Sequence, residues 1–186
     1  MPTALDPRLD DIEFLRLAGL RRKHRQQQQR EGARLRWPQG EQSPDADTIR
    51  TACEYDQERF ARTFFPDICS SPFNALHRQF FAKADARNRQ QERGWRDATA
   101  APRGSAKTTI KKIQVVHDLL YGHEKYIGIG SANFDHARDK VKDIRTIFEE
   151  NDLVRRIYGP QETNSWKEHD FILAHPRGRL RTFTPK

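Results

Sequence analysis

The sequence predicts a mixed α/β fold, with helices packed around a parallel sheet behind a helical N-terminal arm. Three observations carry that expectation. Of 38 Leu, Ile, Val and Phe residues, nine fall in 1–58 and 29 in 59–186, so only the second part holds the material for a core. The middle of the chain reads strand, loop, helix, strand, helix, the order of a βαβ unit. The first fifty residues carry a basic run and then a proline-containing linker.

Taken in order, Asp10 and Asp11 can cap a helix through Ile12, Leu15 and Leu20. Leu35 to Asp47, with two prolines and a glycine, reads as a linker, which divides the chain into an arm and linker over 1–50 and a folded part over 51–186. Thr48 precedes a helical pattern through Ile49, Ala52, Tyr55 and Phe60 that stops at Phe64-Phe65-Pro66, because the residue before proline disfavours the α region. A second helix is expected from Asn74 to about Lys83, with Leu76, Phe80 and Phe81 near one face. Residues 83–97 are strongly charged and expected on the surface. Asp97–Ala101 is a short strand candidate leading into a turn over Pro102–Ala106. Lys107 then opens a helix with Ile110, Ile113, Val116 and Leu120 at helical spacing, ended by Gly122. Tyr126–Gly130 is a compact strand, and Ser131 can cap a helix striped by Ala137, Val141, Ile144 and Phe148 as far as Asn151. Two further strands, Asp170–Leu173 and Arg179–Phe183, flank the turn Pro176-Arg177-Gly178.

Charge and composition narrow the function. The net charge is +8, and residues 21–36 supply +6 of it through seven Lys and Arg against Glu31. Such a run fits either phosphate neutralisation on nucleic acid or a solvated face; no aromatic residues interleave with it as a single-strand stacking platform needs. No stretch nears the ~20 apolar residues of a membrane span, and Met1–Asp11 has no apolar secretory segment. Cys53 and Cys69 lack metal-ligand spacing, so the expectation is a soluble protein of a reducing compartment. Among seven histidines there is no H-E-x-x-H. His117 and His123 flank a helix end and read as surface or capping residues. No G-x-S-x-G elbow occurs, and Trp37, Trp95 and Trp166 are scattered.

The chemistry concentrates at Ala101-Pro102-Arg103-Gly104-Ser105-Ala106-Lys107-Thr108-Thr109. A turn between strand and helix aims backbone N–H groups and the positive helix end at a phosphate chain. A lysine at the helix start reaches the β- and γ-phosphates, and the following hydroxyl holds Mg²⁺. Lys107 and Thr108 stand in those places. Against G-x-x-x-x-G-K-[ST], alanines 101 and 106 replace both glycines. Ala106 fits if its φ stays negative, since it adds only a methyl group. A polar loop before a basic helix is the plainer alternative.

Here the sequence resembles the large, motor subunit of tailed-phage terminases, which packages viral DNA. That family often carries Ala-Pro-Arg-Gly-x-(Gly/Ala)-Lys-(Ser/Thr), with the arginine placed as Arg103 is before Lys107. Phe60-Ala61-Arg62-Thr63-Phe64-Phe65-Pro66, Ser71-Pro72-Phe73 and His77 are similar to its lead-in to the ATPase core. Ile127–Ser131 with Ala137, and then Asn151, Tyr158-Gly159 and Trp166, follow in the family's order. The resemblance covers roughly residues 58–186. It implies the front of a P-loop NTPase-like parallel sheet flanked by helices, with ATP and Mg²⁺ as cofactors. By resemblance, Lys107 and Arg103 are catalytic, Lys107 on the β/γ-phosphates and Arg103 beside the γ-phosphate, where a cation stabilises developing charge. An ion pair that shapes the loop is the other reading of Arg103. Gly104, Ser105, Ala106, Lys107, Thr108 and Thr109 would cradle the nucleotide, Thr108 would ligate Mg²⁺, and Gln79 is either the upstream adenine reader or a surface glutamine. The implied partners are double-stranded DNA, the small terminase subunit, the portal and copies of the chain in a ring, in the cytoplasm of a bacterial host and with no membrane.

Hydrolysis in that class also needs an apolar strand ending in Asp-Glu. Thr146-Ile147-Phe148-Glu149-Glu150 comes nearest in letters but falls within a helical stripe, as does Val115-Val116-His117-Asp118. The family's later motifs and its nuclease would lie beyond Lys186, so the chain reads as the front half of an ATPase domain. Two alternatives remain from the sequence: a basic DNA-binding or assembly module, and a prophage remnant, both without ATPase activity.

Overall fold

A computed structural model of the chain describes residues 37–90 and 98–183. The described residues all fall in one compact unit that begins at Trp37. The basic run and the helix expected after Asp11 lie outside the described residues.

Helix α1 spans Pro44–Cys53, with proline in its first turn and the Ser43 side chain accepting from Ala46 N–H, a strong start signal. The expected linker is therefore helical from Pro44. Upstream, the Trp37 indole is buried and donates to the Leu120 carbonyl at 3.0 Å. Residues 37–50, expected in the arm and linker, belong to the packed unit. Asp56 caps α2, Gln57–Phe64, by accepting from Arg59 N–H, and this second cap cuts the single helix expected from Thr48 to Phe64 into two. Helix α3, Ala75–Gln90, runs seven residues past Lys83 because Ala84, Asp85 and Asn88 face inward. The surface expectation for 83–90 fails at those three positions.

Helix α4 covers Lys107–Tyr121 and closes on Gly122 at φ 62°. Strand β1, Tyr126–Gly130, leads into α5, Phe134–Glu150. The cap of α5 is Asn133 rather than Ser131. A helix not foreseen, α6 over Asp152–Tyr158, starts on the Asn151 side chain. Strands β2, Asp170–Ile172, and β3, Arg179–Phe183, follow.

The sheet has the order β1-β3-β2. β1 runs parallel to β3, with Ile127 beside Leu180, and β2 runs antiparallel to it, with Phe171 beside Leu180. The sheet is thus mixed, where the sequence predicted a parallel one, because the short Pro176–Gly178 connection can only return the chain as a hairpin. One face buries Phe171 and Leu180 in the same core as Val141, Ile144 and Phe148 of α5. On the other, Tyr126 and Phe183 are about half exposed. Ala98–Ala101 form no strand. Alanine has low β-propensity, and among the described residues no strand pairs with this segment.

The core gathers on α4, which is buried on nearly every side over its second half. Tyr121 donates its hydroxyl to the Arg50 carbonyl at 2.7 Å and lies 2.6 Å from the Tyr158 hydroxyl. Gln114 Nε2 donates to the Phe80 carbonyl at 2.9 Å. Fully buried side chains such as Phe60, Leu119 and Leu120 each contribute about 1.5–3 kcal/mol by leaving water. These contacts fix the axis of α4, and hence the place of the loop that opens it.

Candidate functional site

The loop begins at Ala101, half-buried against the core, and turns through Pro102, Arg103 and Gly104. Ser105 closes that turn, its hydroxyl donating to the Pro102 carbonyl at 2.8 Å. Gly104 has φ +79° and Ala106 φ +51°, while Ser105 between them and Lys107 after them keep negative φ. Alternation of this kind turns successive backbone N–H groups toward one side and makes an anion-binding concavity. The hollow it leaves, about 310 Å³, is lined by residues 102–109, near the lower end of the size range of small-ligand sites.

With φ +51°, Ala106 does not meet the condition under which its methyl group would be tolerated. A left-handed alanine costs about 1–2 kcal/mol, a strain the loop bears. Lys107 reaches back across the loop, its Nζ donating to the Ala101 carbonyl at 2.7 Å. The ammonium therefore stands over the loop, hydrogen-bonded to the residue that opens it. Arg103 and Thr108 are exposed, and Thr109 is half-buried.

The start of α4 differs from every other described helix. Side chains of Ser43, Asp56, Asn133 and Asn151 cap α1, α2, α5 and α6, and Asn74 Oδ1 accepts from His77 N–H to cap α3. Helix α4 has Ala106 at its cap position and no side-chain cap bond. The first backbone N–H groups of a helix have no partner within it, so those of Lys107, Thr108 and Thr109 are left for a ligand or water.

The structure thus gathers Arg103, Gly104, Ser105, Ala106, Lys107, Thr108 and Thr109 around one hollow. It does not bring Gln79 there: that residue is exposed on α3 and outside the lining. The strand expected before the loop is missing over Ala98–Ala101, and Ala101 packs partly buried against the core. Among the described residues no group of three or more His, Cys, Asp or Glu could hold a metal, and no helix is long and apolar enough to cross a membrane. Glu149, at the end of α5, accepts from the indole of Trp166, which lies outside that helix, at 2.6 Å.

Two features escaped the sequence. His77 Nε2 lies 3.2 Å from the Ser105 carbonyl, linking α3 to the loop. A buried polar layer joins α2, α3 and α4, and it overturns the surface role expected for His117. That imidazole is fully buried, its Nε2 2.9 Å from the Cys53 carbonyl. Asp118 accepts from Asn88 Nδ2 at 2.8 Å and pairs with Arg87. Burial alone would raise the Asp118 pKa, but hydrogen bonding from His117 and the Arg87 charge hold it below the usual carboxylate range. Asp85 accepts from Gln57 N–H at 3.1 Å, and burial pushes its pKa up to about 6. The signal was present: Gln114, His117, Asp118 and Tyr121 are spaced i, i+3, i+4, i+7, a second inward stripe on α4.

The chain matches no protein-family model, and neither a curated protein nor a solved structure matches it.

Proposed function

We propose that residues 102–109 bind the phosphate chain of ATP with Mg²⁺, as the nucleotide-binding part of a DNA-packaging motor of the kind the sequence resembles. The observation that carries this reading is the start of α4. It alone among the described helices lacks a side-chain cap, and it carries a lysine at its first position beside a hollow lined by the loop and the first helical turn.

The helix end contributes only about half a unit of positive charge, too little for a triphosphate. Lys107 adds a full charge once it exchanges the Ala101 carbonyl for phosphate oxygen, and Arg103 adds another from the turn. Charge-assisted hydrogen bonds of that type are roughly twice as strong as neutral ones. The Thr108 hydroxyl, exposed one residue into the helix, is the group that would hold Mg²⁺, which when bound screens the phosphates from one another. Double-stranded DNA is the partner in this reading, with the basic run of 21–36 as the surface that meets it.

Lys107→Ala tests the nucleotide site. It is expected to abolish stabilisation by millimolar Mg·ATP, which for the wild type is about 2.7 kcal/mol at a hundredfold excess over Kd. The ligand-free melting point should stay nearly unchanged, since an exposed lysine in an alanine-tolerant helix adds little to stability. If the wild type melts cooperatively and ignores Mg·ATP, the reading is wrong and the basic assembly module replaces it. For the DNA interaction, deletion of residues 1–36 is expected to flatten the salt dependence of binding, by close to one unit of log–log slope for each phosphate that the arm neutralises.

A further inference from the structure

The phosphate-loop reading leaves open what holds the Ser105–Ala106 peptide in its orientation, and the next step rests on that reading. We propose that His77 is a positioning residue: it fixes the Ser105 carbonyl toward α3 and thereby turns the Ala106 N–H into the phosphate hollow.

His77 is set firmly in place. It is the third residue of α3, and Asn74 Oδ1 accepts from its backbone N–H at 2.9 Å. Its ring meets Phe73 edge to face at 5.9 Å between centroids. Phe73 is braced in turn by Phe81 at 5.1 Å and by the Arg62 guanidinium 4.5 Å over its ring. The Nε2 atom lies 3.2 Å from the Ser105 carbonyl oxygen. A carbonyl can only accept, so Nε2 carries the hydrogen and donates. Nδ1 is buried with no partner. The side chain therefore makes a single hydrogen bond, and that bond goes to the backbone of the loop.

Peptide planarity turns this bond into an aiming device. In a trans peptide the C=O and the following N–H point to opposite sides. Ser105 O held toward His77 sends the Ala106 N–H the other way. The positive φ of Ala106 then brings the Lys107 N–H round beside it, as the concavity requires. Without the imidazole the peptide is free to flip, and a flipped peptide presents a carbonyl to a phosphate.

The test uses two amides of different reach. Gln places its amide nitrogen near the position of Nε2, whereas Asn places it near Nδ1 and falls short of the loop. Binding of Mg·ATP and of inorganic tripolyphosphate is measured by calorimetry on wild type, His77→Gln, His77→Asn and His77→Ala. His77→Gln is expected to bind within about threefold of wild type, and His77→Asn and His77→Ala about tenfold more weakly, equivalent to 1.4 kcal/mol. Equal weakening by Gln and Asn would mean that the ring only packs, and overturns the proposal. Undiminished binding by His77→Ala overturns it as well, while wild-type binding keeps the phosphate-loop reading intact. Failure of the wild type to bind either probe refutes the phosphate-loop reading itself.

Discussion

The two ends of α4 are built on opposite plans. At the C-terminal end the helix is tied down: Gly122 closes it with its N–H on the Leu119 carbonyl, the Trp37 indole donates to the Leu120 carbonyl, and Tyr121 is locked between Arg50 and Tyr158. At the N-terminal end a left-handed alanine replaces a capping side chain, and the first-turn donors open on a hollow. The contrast shows how a small domain can hold an uncapped helix terminus open. Rigidity is concentrated at the far end of the same element, where burial is complete, so that the near end can stay uncapped without fraying.

The largest expected effect breaks the anchored end. Trp37→Ala removes a buried indole, its bond to Leu120 and its edge-on packing with Tyr121 and Tyr158. A loss of about 3–5 kcal/mol is expected in denaturant unfolding; a near-wild-type midpoint would show that α4 is not held there. Next comes the polar layer beside that end. Asp85 is an acid with a folded pKa raised to about 6 from 3.8, so the folded state binds its proton more tightly than the unfolded chain. Its ionisation costs nothing below pH 3.8, and the cost grows to its full size above about pH 6. Asp85→Asn keeps an acceptor for Gln57 and removes the charge. It should match wild type near pH 4 and exceed it by about 1–3 kcal/mol at pH 7.5, read as the difference between thermal unfolding series. A constant difference across that range would rule out Asp85 as the titrating group. The smallest effect lies at the open end. Ala106→Gly relieves the left-handed alanine against the extra chain entropy of glycine, for a net gain of about 0.5–1 kcal/mol, with Mg·ATP stabilisation retained. Destabilisation would mean that Ala106 carries no strain.

Much of this contrast is legible in the letters. Lys107 to Gly122, Tyr126–Gly130, the helix to Asn151 and the strands after Asp170 follow from apolar spacing and turn residues alone. The eight loop residues are also recognisable, since Lys107-Thr108 after a turn is a local pattern. What is not legible depends on distant partners. A strand at Ala98–Ala101 needs a neighbouring edge, which the sequence cannot supply by itself. The φ of Ala106 and the Ser105–His77 bond are set by how α3 meets the loop. The spacing of Gln114, His117, Asp118 and Tyr121 marks a second inward stripe, but their partners Cys53 and Asn88 are remote in sequence. Ser43 and Asp56 are a different case, because their capping signals are local: the prolines and glycine of 38–44 give the first helix start the look of a linker, and continuous helical spacing through Tyr55 and Phe60 hides the second.

Asn151 shows how little freedom one position can have. Its N–H ends α5 on the Ile147 carbonyl, its Oδ1 starts α6 by accepting from Val154 N–H, and its Nδ2 donates to the Phe64 carbonyl of α2. Aspartate would keep the acceptor and set a negative charge against that carbonyl; serine would be too short to serve both partners; glutamine would misplace both groups by a methylene. In a saturation mutagenesis experiment this site should tolerate almost no replacement, although it lies outside the hollow lined by residues 102–109. Intolerance there would report the joining of three helices rather than chemistry, and would warn against reading every immutable polar residue as part of a binding site.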